Sequence, residues 1–139
     1  MNRNSNGQNV FMLVRQLAVK LYGPNNVYDQ ALPPAGTPYP FVYIANQDTS
    51  RYPSKENSIE YVNQMVRFYH DDITQRGSFD SMIYALRLEA GLQRYMVNNS
   101  SIRLNDYSSV INPEDNEDGL KLLHGVLTLQ FIANDTTMN

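Results

Sequence analysis

The densest group of titratable side chains in the sequence is His70-Asp71-Asp72, at the end of a run of alternating residues. An imidazole beside two carboxylates could bind a divalent metal ion or transfer protons. Either role needs further partners, and the chain holds one other histidine, His124. The alternative is a strand that ends at His70, followed by a turn with both aspartates in solvent. We adopt this second interpretation and predict neither a catalytic residue nor a metal site.

A second acidic group, Glu114 to Gly119, has some features of a calcium-binding loop. With Gly119 at the sixth position of such a loop, the twelfth position would be Gly125, where a bidentate Glu is required. The pattern therefore fails, and the segment is interpreted as a solvated hairpin turn that Asn112-Pro113 introduces. The sequence contains no glycine-rich phosphate loop, no GxSxG and no HExxH, so we predict no cofactor.

Composition narrows the class of protein further. The chain has 139 residues and no cysteine, which excludes disulfides, thiolate metal sites and cysteine nucleophiles. Its net charge of −3 argues against nucleic-acid binding as the main role, because that role needs a surface that neutralises phosphates. We expect no signal peptide and no membrane span, since Arg15 and Lys20 interrupt the first apolar stretch. Ten tyrosines suit either a half-buried sheet or protein interfaces.

The first half of the chain predicts one helix and several strands. The apolar spacing from Asn9 to Tyr22 predicts an amphipathic helix, which Gly23-Pro24 ends. Val27-Tyr28 reads as a short strand, and Phe41 to Gln47 as a longer one. The polar stretch from Asp48 to Ser58 is predicted to be a projecting loop.

The second half predicts three strands and a second helix. Ile59 to His70 alternates with period two, and the side that carries Val62, Val66 and Phe68 is predicted to face the core. The following helix is predicted to begin after Ser78 as N-cap, with Asp80 in its first turn, and to continue to Tyr95. Further strands are predicted at Tyr107 to Ile111 and Leu120 to Ala133. The fold class is therefore α+β, with one mixed, mainly antiparallel sheet packed by two main helices in a single domain over residues 1–139.

Three segments carry a resemblance to a known family: TPYPFVYIAN (37–46), RFYHDDITQRGSFDSMIYAL (67–86) and HGVLTLQF (124–131). In their order and texture they resemble the tail terminators, or tail-completion proteins, of siphovirus-type bacteriophages. The resemblance extends roughly from the first helix to the last strand. It lies in the sequence of elements and not in a sharp motif.

The resemblance implies a structural role without enzymatic activity. Such proteins form a homohexameric ring on the last ring of the tail tube, stop its polymerisation and provide the surface to which the head attaches. The implied partners are further copies of the chain, the major tail tube protein and head connector proteins, while DNA passes through the ring without specific binding. The implied location is the virion, at the tail and head–tail interface, after assembly in the host bacterial cytoplasm.

Three alternatives remain open at this stage. The chain could be a head-side adaptor or stopper of the same connector, a small enzyme built around His70, Asp71 and Asp72, or a binding module without ring symmetry. Exposure alone nominates two groups of contact residues. One is in the projecting loop (Arg51, Tyr52 and Lys55), and the other is in the acidic turn (Glu114, Asp115 and Asp118). For the loop, the alternative is an ordinary surface loop.

Overall fold

The computed structural model describes residues 3–53, 58–115 and 119–137. In chain order the elements are α1 (Asn6–Tyr22), β1 (Val27–Tyr28), β2 (Phe41–Arg51), β3 (Ile59–His70), α2 (Arg76–Gly91), β4 (Tyr95–Val97), β5 (Ser100–Asp115) and β6 (Lys121–Asp135). Six strands form one sheet in the order β1-β2-β3-β6-β5-β4. The β1–β2 pairing is parallel and the other pairings are antiparallel, which confirms the predicted fold class. None of the helices in the described ranges has the length and apolar character of a membrane span.

Helix α1 begins three residues before the predicted start. The Ser5 hydroxyl oxygen accepts a hydrogen bond from the backbone N–H of Gln8 at 3.0 Å, which satisfies one free donor of the first turn. The helix ends before Gly23, whose φ of 89° is a left-handed conformation that glycine adopts without strain. Its buried face carries the predicted apolar positions, including Val10, Val14 and Leu17.

The core lies between the two helices and one face of the sheet. The predicted inward residues of β3 are buried, and Leu123, Leu127 and Leu129 of β6 pack beside them. Gln64 also lies on this face with no exposed surface, and its Nε2 donates to the carbonyl oxygens of Ala45 and Met65. These bonds compensate for the loss of water at a buried amide.

The predicted start of α2 is wrong. Asp72 accepts a hydrogen bond from the Thr74 backbone N–H at 3.0 Å and caps a short 3₁₀ turn that leads directly into α2 at Arg76. Ser78 therefore lies inside the helix, where its hydroxyl donates to the Gln75 carbonyl oxygen, and Asp80 lies beyond the first turn. The helix also ends earlier than predicted, because Tyr95 pairs with Ile102 in β4.

Two strands are longer than predicted, and they extend into segments that were wrongly predicted to be a loop and a turn. β2 continues through Asp48 to Arg51, because this stretch pairs with residues 60–63 of β3. β5 extends to Asp115, so Glu114 and Asp115 belong to a strand and not to a turn. Both stretches are polar, and pairing with a neighbouring strand forms them in the absence of apolar alternation.

Both helices pack on the same face of the sheet, so the opposite face carries neither of them. Alternate residues of β3 point to this open face and are each half-buried: Tyr61, Asn63, Met65, Arg67 and Tyr69. The open face and the two outer strands position the residues of the candidate site.

Candidate functional site: the free strand edges and the open face

The structure places the two nominated groups of residues far apart. Arg51 is the last residue of β2 and is exposed, and the Tyr52 ring lies 5.1 Å from that of Tyr61. Glu114 and Asp115 lie on β5, opposite residues 122 and 121 of β6. The two groups are therefore on opposite edges and at opposite ends of the sheet. The other two nominees, Lys55 and Asp118, lie outside the described residues.

His70, Asp71 and Asp72 form a local cap at the end of β3. The His70 Nδ1 accepts from the Asp72 backbone N–H at 3.2 Å, and it lies 3.3 Å from an Asp71 carboxylate oxygen. Hydrogen bonds from the Thr74 hydroxyl and backbone N–H lower the pKa of Asp72. In the described ranges, no group of three or more potential ligands is placed to hold a metal ion. The contacts account for this cluster as turn structure.

A row of rings crosses the open face near the Glu114 end of the sheet, and we call it the aromatic row. It contains Tyr28, Phe41, Tyr69 and His124, from β1, β2, β3 and β6. Successive ring centroids are 5.8, 5.0 and 4.6 Å apart, and the last pair is nearly parallel at 8°. Such contacts add rigidity where no helix covers the sheet.

The row ends in a charged cluster that sequence reasoning did not find. His124 Nδ1 lies 2.7 Å from a Glu114 carboxylate oxygen, and its Nε2 lies 3.2 Å from a guanidinium nitrogen of Arg67. Because Arg67 can only donate, Nε2 accepts and Nδ1 carries the proton toward Glu114. Burial lowers the pKa of His124; Glu114 opposes this shift and Arg67 adds to it. The β5–β6 register pairs Asn112 with His124, which makes Glu114 the diagonal neighbour of His124 on the same face.

Both outer strands leave long edges without a strand partner in the described part of the chain. β1 pairs only with Val42 and Tyr43 of β2, and β4 pairs only with residues 100–102 of β5. We call residues 44–51 the β2 edge and residues 103–115 the β5 edge. Most of the side chains on both edges are exposed. Unpaired backbone N–H and C=O groups on such edges can accept a further strand.

An exposed apolar stripe on α2 flanks the β5 edge. Tyr84, Leu88 and Leu92 follow one another at four-residue spacing and are 49%, 48% and 69% exposed. The Arg87 guanidinium carbon lies 4.6 Å from the centre of the Tyr84 ring and 4.1 Å from that of Tyr107 on β5. The spacing on the outer side of the helix was the available sequence signal for this stripe. Contiguous exposed apolar surface of this kind is typical of protein contacts.

A basic recess of about 180 Å³ opens on the open face at the Arg51 end of the sheet. Arg94, Arg103, Tyr52 and Ile132 contribute to its lining. Asn134 also lines it, and its Oδ1 is buried without a hydrogen-bond partner in the described structure. Two guanidinium groups at one opening favour an acidic side chain as occupant.

Comparisons with known proteins show the fold. No protein-family model and no curated protein matches the chain. One similar solved structure is a chain from the virion of a native gene transfer agent (GTA) particle. It is 15% identical with a TM-score of 0.63, and the match covers 95% of this chain and 98% of that one. A second solved structure is 13% identical with a TM-score of 0.58, and the match covers 91% of this chain and 92% of the other.

Proposed function

We propose that this chain is a structural virion protein that forms a homohexameric ring at the end of a phage-type tail tube. In this role the ring stops polymerisation of the tube and provides the surface to which the head attaches. The observation that carries the proposal is the match over nearly the full length of both chains with a chain of the gene transfer agent virion. The resemblance of the three segments to tail terminators supports the tail-side position.

The arrangement of contact surfaces supports assembly into a ring. A head-to-tail ring needs two different patches on each subunit, and closure by symmetry then fixes the number of copies. The β2 edge and the β5 edge are two such patches on opposite sides of the sheet. Contacts at the nominated residues belong to this proposal: Arg51, Tyr52, Lys55, Glu114, Asp115 and Asp118.

The proposed partners are the major tail tube protein and head connector proteins, with DNA passing through the ring. The net charge of −3 supports a lumen to which DNA does not adhere. The proposal includes no enzymatic activity and no cofactor, in keeping with the capping role of Asp72. The His70→Ala variant tests the enzyme alternative: loss of turnover in a variant that still folds would support an enzyme, and a neutral change would not.

The proposal is tested by electron microscopy of lysates from a phage whose copy of this gene is disrupted. We expect filled heads beside detached tails with abnormal, over-long tubes. Free tails of normal length beside heads that leak DNA would assign the chain to the second candidate, a head-side adaptor or stopper. Intact virions would contradict both positions in the connector.

A further inference from the structure

The β2 edge and the β5 edge run in opposite directions and lie at the same level along the strands. Each of the three pairings from β2 through β3 and β6 to β5 is antiparallel, so β2 and β5 are antiparallel to each other. Ile44 lies level with Ser109, because both align through Val66 and Leu127. By the same register Thr49 lies level with Leu104. A second copy beside the first, in the same orientation, therefore meets the β5 edge with an antiparallel β2 edge.

We propose that the β5 edge of one copy pairs with the β2 edge of the next, so that the sheet continues from subunit to subunit. This inference rests on the proposed ring and names its subunit contact. The contact joins different edges, so each copy keeps one edge available and the pairing repeats around the assembly. A pairing of two β5 edges would instead end at a dimer.

Charge selects the stagger between the two strands. With no stagger, Asp48 and Asp106 lie at the same level of the open face, since both align with the Asn63–Gln130 pair. Two carboxylates side by side repel. A shift of two residues, about 7 Å along the strand, replaces Asp106 by Ser108, the next residue of β5 on that face in the direction away from β4. The opposite shift would bring Thr49–Arg51 onto the edge of residues 100–102, which β4 already occupies. Closed sheets require tilted strands and such a stagger.

The same arrangement accounts for one further surface. On the helix-bearing face, α1 packs over β2, and the Gln47 Nε2 donates to the Gly7 carbonyl oxygen. Continuation of the sheet therefore brings the α1 side of the next copy toward the apolar stripe of α2.

Disulfide cross-linking tests the pairing without background from native cysteines, because the chain contains none. The test variant carries Asp48→Cys and Ser108→Cys. Two strands separate β2 from β5 in one copy, which puts these positions at least about 14 Å apart and beyond the reach of a disulfide within one chain. Any disulfide is therefore between copies. Each single variant is a control, and the pairs Asp48→Cys with Asp106→Cys and Asp48→Cys with Arg103→Cys test the other staggers.

The variants are oxidised both in purified particles and as purified chain, and are separated on non-reducing gels. We expect the Asp48–Ser108 pair to give a ladder that ends at the closed oligomer, while each single variant stays monomeric. Dimers from the Ser108→Cys single variant would show a pairing of like edges and overturn the proposal. The proposal would also be overturned if none of the three pairs formed cross-links in particles in which an immunoblot detects the chain.

The two proposals fail separately. If immunoblots find the chain absent from particles, the proposed function fails, and the cross-linking of purified chain alone decides the pairing. If the chain is present and rings form without any of these cross-links, the ring stands and the edge pairing is wrong.

Discussion

At the residue scale, Gly125 allows α2 to approach the sheet. A Cβ at this position would lie 2.4 Å from the Ile83 Cδ1 and 3.1 Å from a ring carbon of Phe79. Contacts this short require side chains to move in a packed core. The glycine that interrupts the period-two pattern of β6 therefore has a packing reason, which the sequence alone did not reveal.

We predict that Gly125→Ala lowers the free energy of unfolding by about 1–3 kcal/mol, the usual cost of overpacking. Ile83→Val removes the clashing Cδ1, so the double variant should lose less stability than the sum of the two single variants. Gly77→Ala is the matched control in α2, since a Cβ added at Gly77 would point into open space. It should raise stability by about 0.5–1 kcal/mol. Urea titration measures all four proteins, and an additive double variant would contradict the packing argument.

His124 gives a second prediction at this scale. Burial lowers its pKa, so the folded state binds a proton less readily than the unfolded chain. The associated stability is present above the unfolded pKa of about 6.5 and decreases as the pH falls toward the folded pKa. An NMR titration of the imidazole should show a midpoint below the ordinary value. Glu114→Gln should lower it further and Arg67→Gln should raise it; a midpoint above the ordinary value would contradict this account.

At the element scale, the buried side chain of Asn9 ties the start of α1 to the β4–β5 turn. Its Nδ2 donates to the Asn99 Oδ1 at 3.2 Å and to the Ser100 hydroxyl oxygen at 2.8 Å. Its Oδ1 accepts from the Asn98 side chain at 3.0 Å. The helix rhythm predicted an apolar helix face, but it gave no reason for an amide in that face.

We predict that Asn9→Ala lowers the free energy of unfolding by about 2–4 kcal/mol, because each buried polar group left unsatisfied costs about 1–3 kcal/mol. Gln16→Ala is the control on the exposed side of the same helix, and it should change stability by less than about 0.5 kcal/mol. The shift in the denaturation midpoint measures both. Equal effects of the two variants would show that the amide cluster does not hold the helix.

Elements that are buried on one face were predictable from the sequence, and elements without such a face were not. β3 was predicted with its observed bounds because its inner residues alternate with half-buried ones. Most of β5 is exposed on both faces, so its side chains carry no alternation that indicates a strand. The start of α2 was not predictable, because Asp72 and Ser78 are equally good capping residues in the sequence. In the structure, Asp72 caps a turn that leads into the helix, and Ser78 lies inside it. The nominated charges were identified by exposure, which gave no information about the β5–β6 register that joins Glu114 to His124.

At the scale of the whole molecule, the apolar stripe is a surface that a monomer has no reason to expose. Its leucines make no contribution to the buried core, since Phe79, Ile83 and Leu86 form the inner side of the same helix. An apolar stripe beside an unpaired strand edge combines two features that protein contacts use.

We predict that Leu88→Glu with Leu92→Glu leaves the fold intact and prevents assembly. The two side chains are 48% and 69% exposed, so the free energy of unfolding should change by less than about 1 kcal/mol. Charges at a desolvated contact should reduce incorporation into particles by roughly tenfold or more, the effect of about 1.4 kcal/mol. Gln75→Glu adds a charge at the exposed start of α2, at the opposite end of the helix from both leucines, and should be incorporated normally. Quantitative immunoblots of purified particles measure incorporation, and normal levels of the double variant would show that the stripe stays in solvent after assembly.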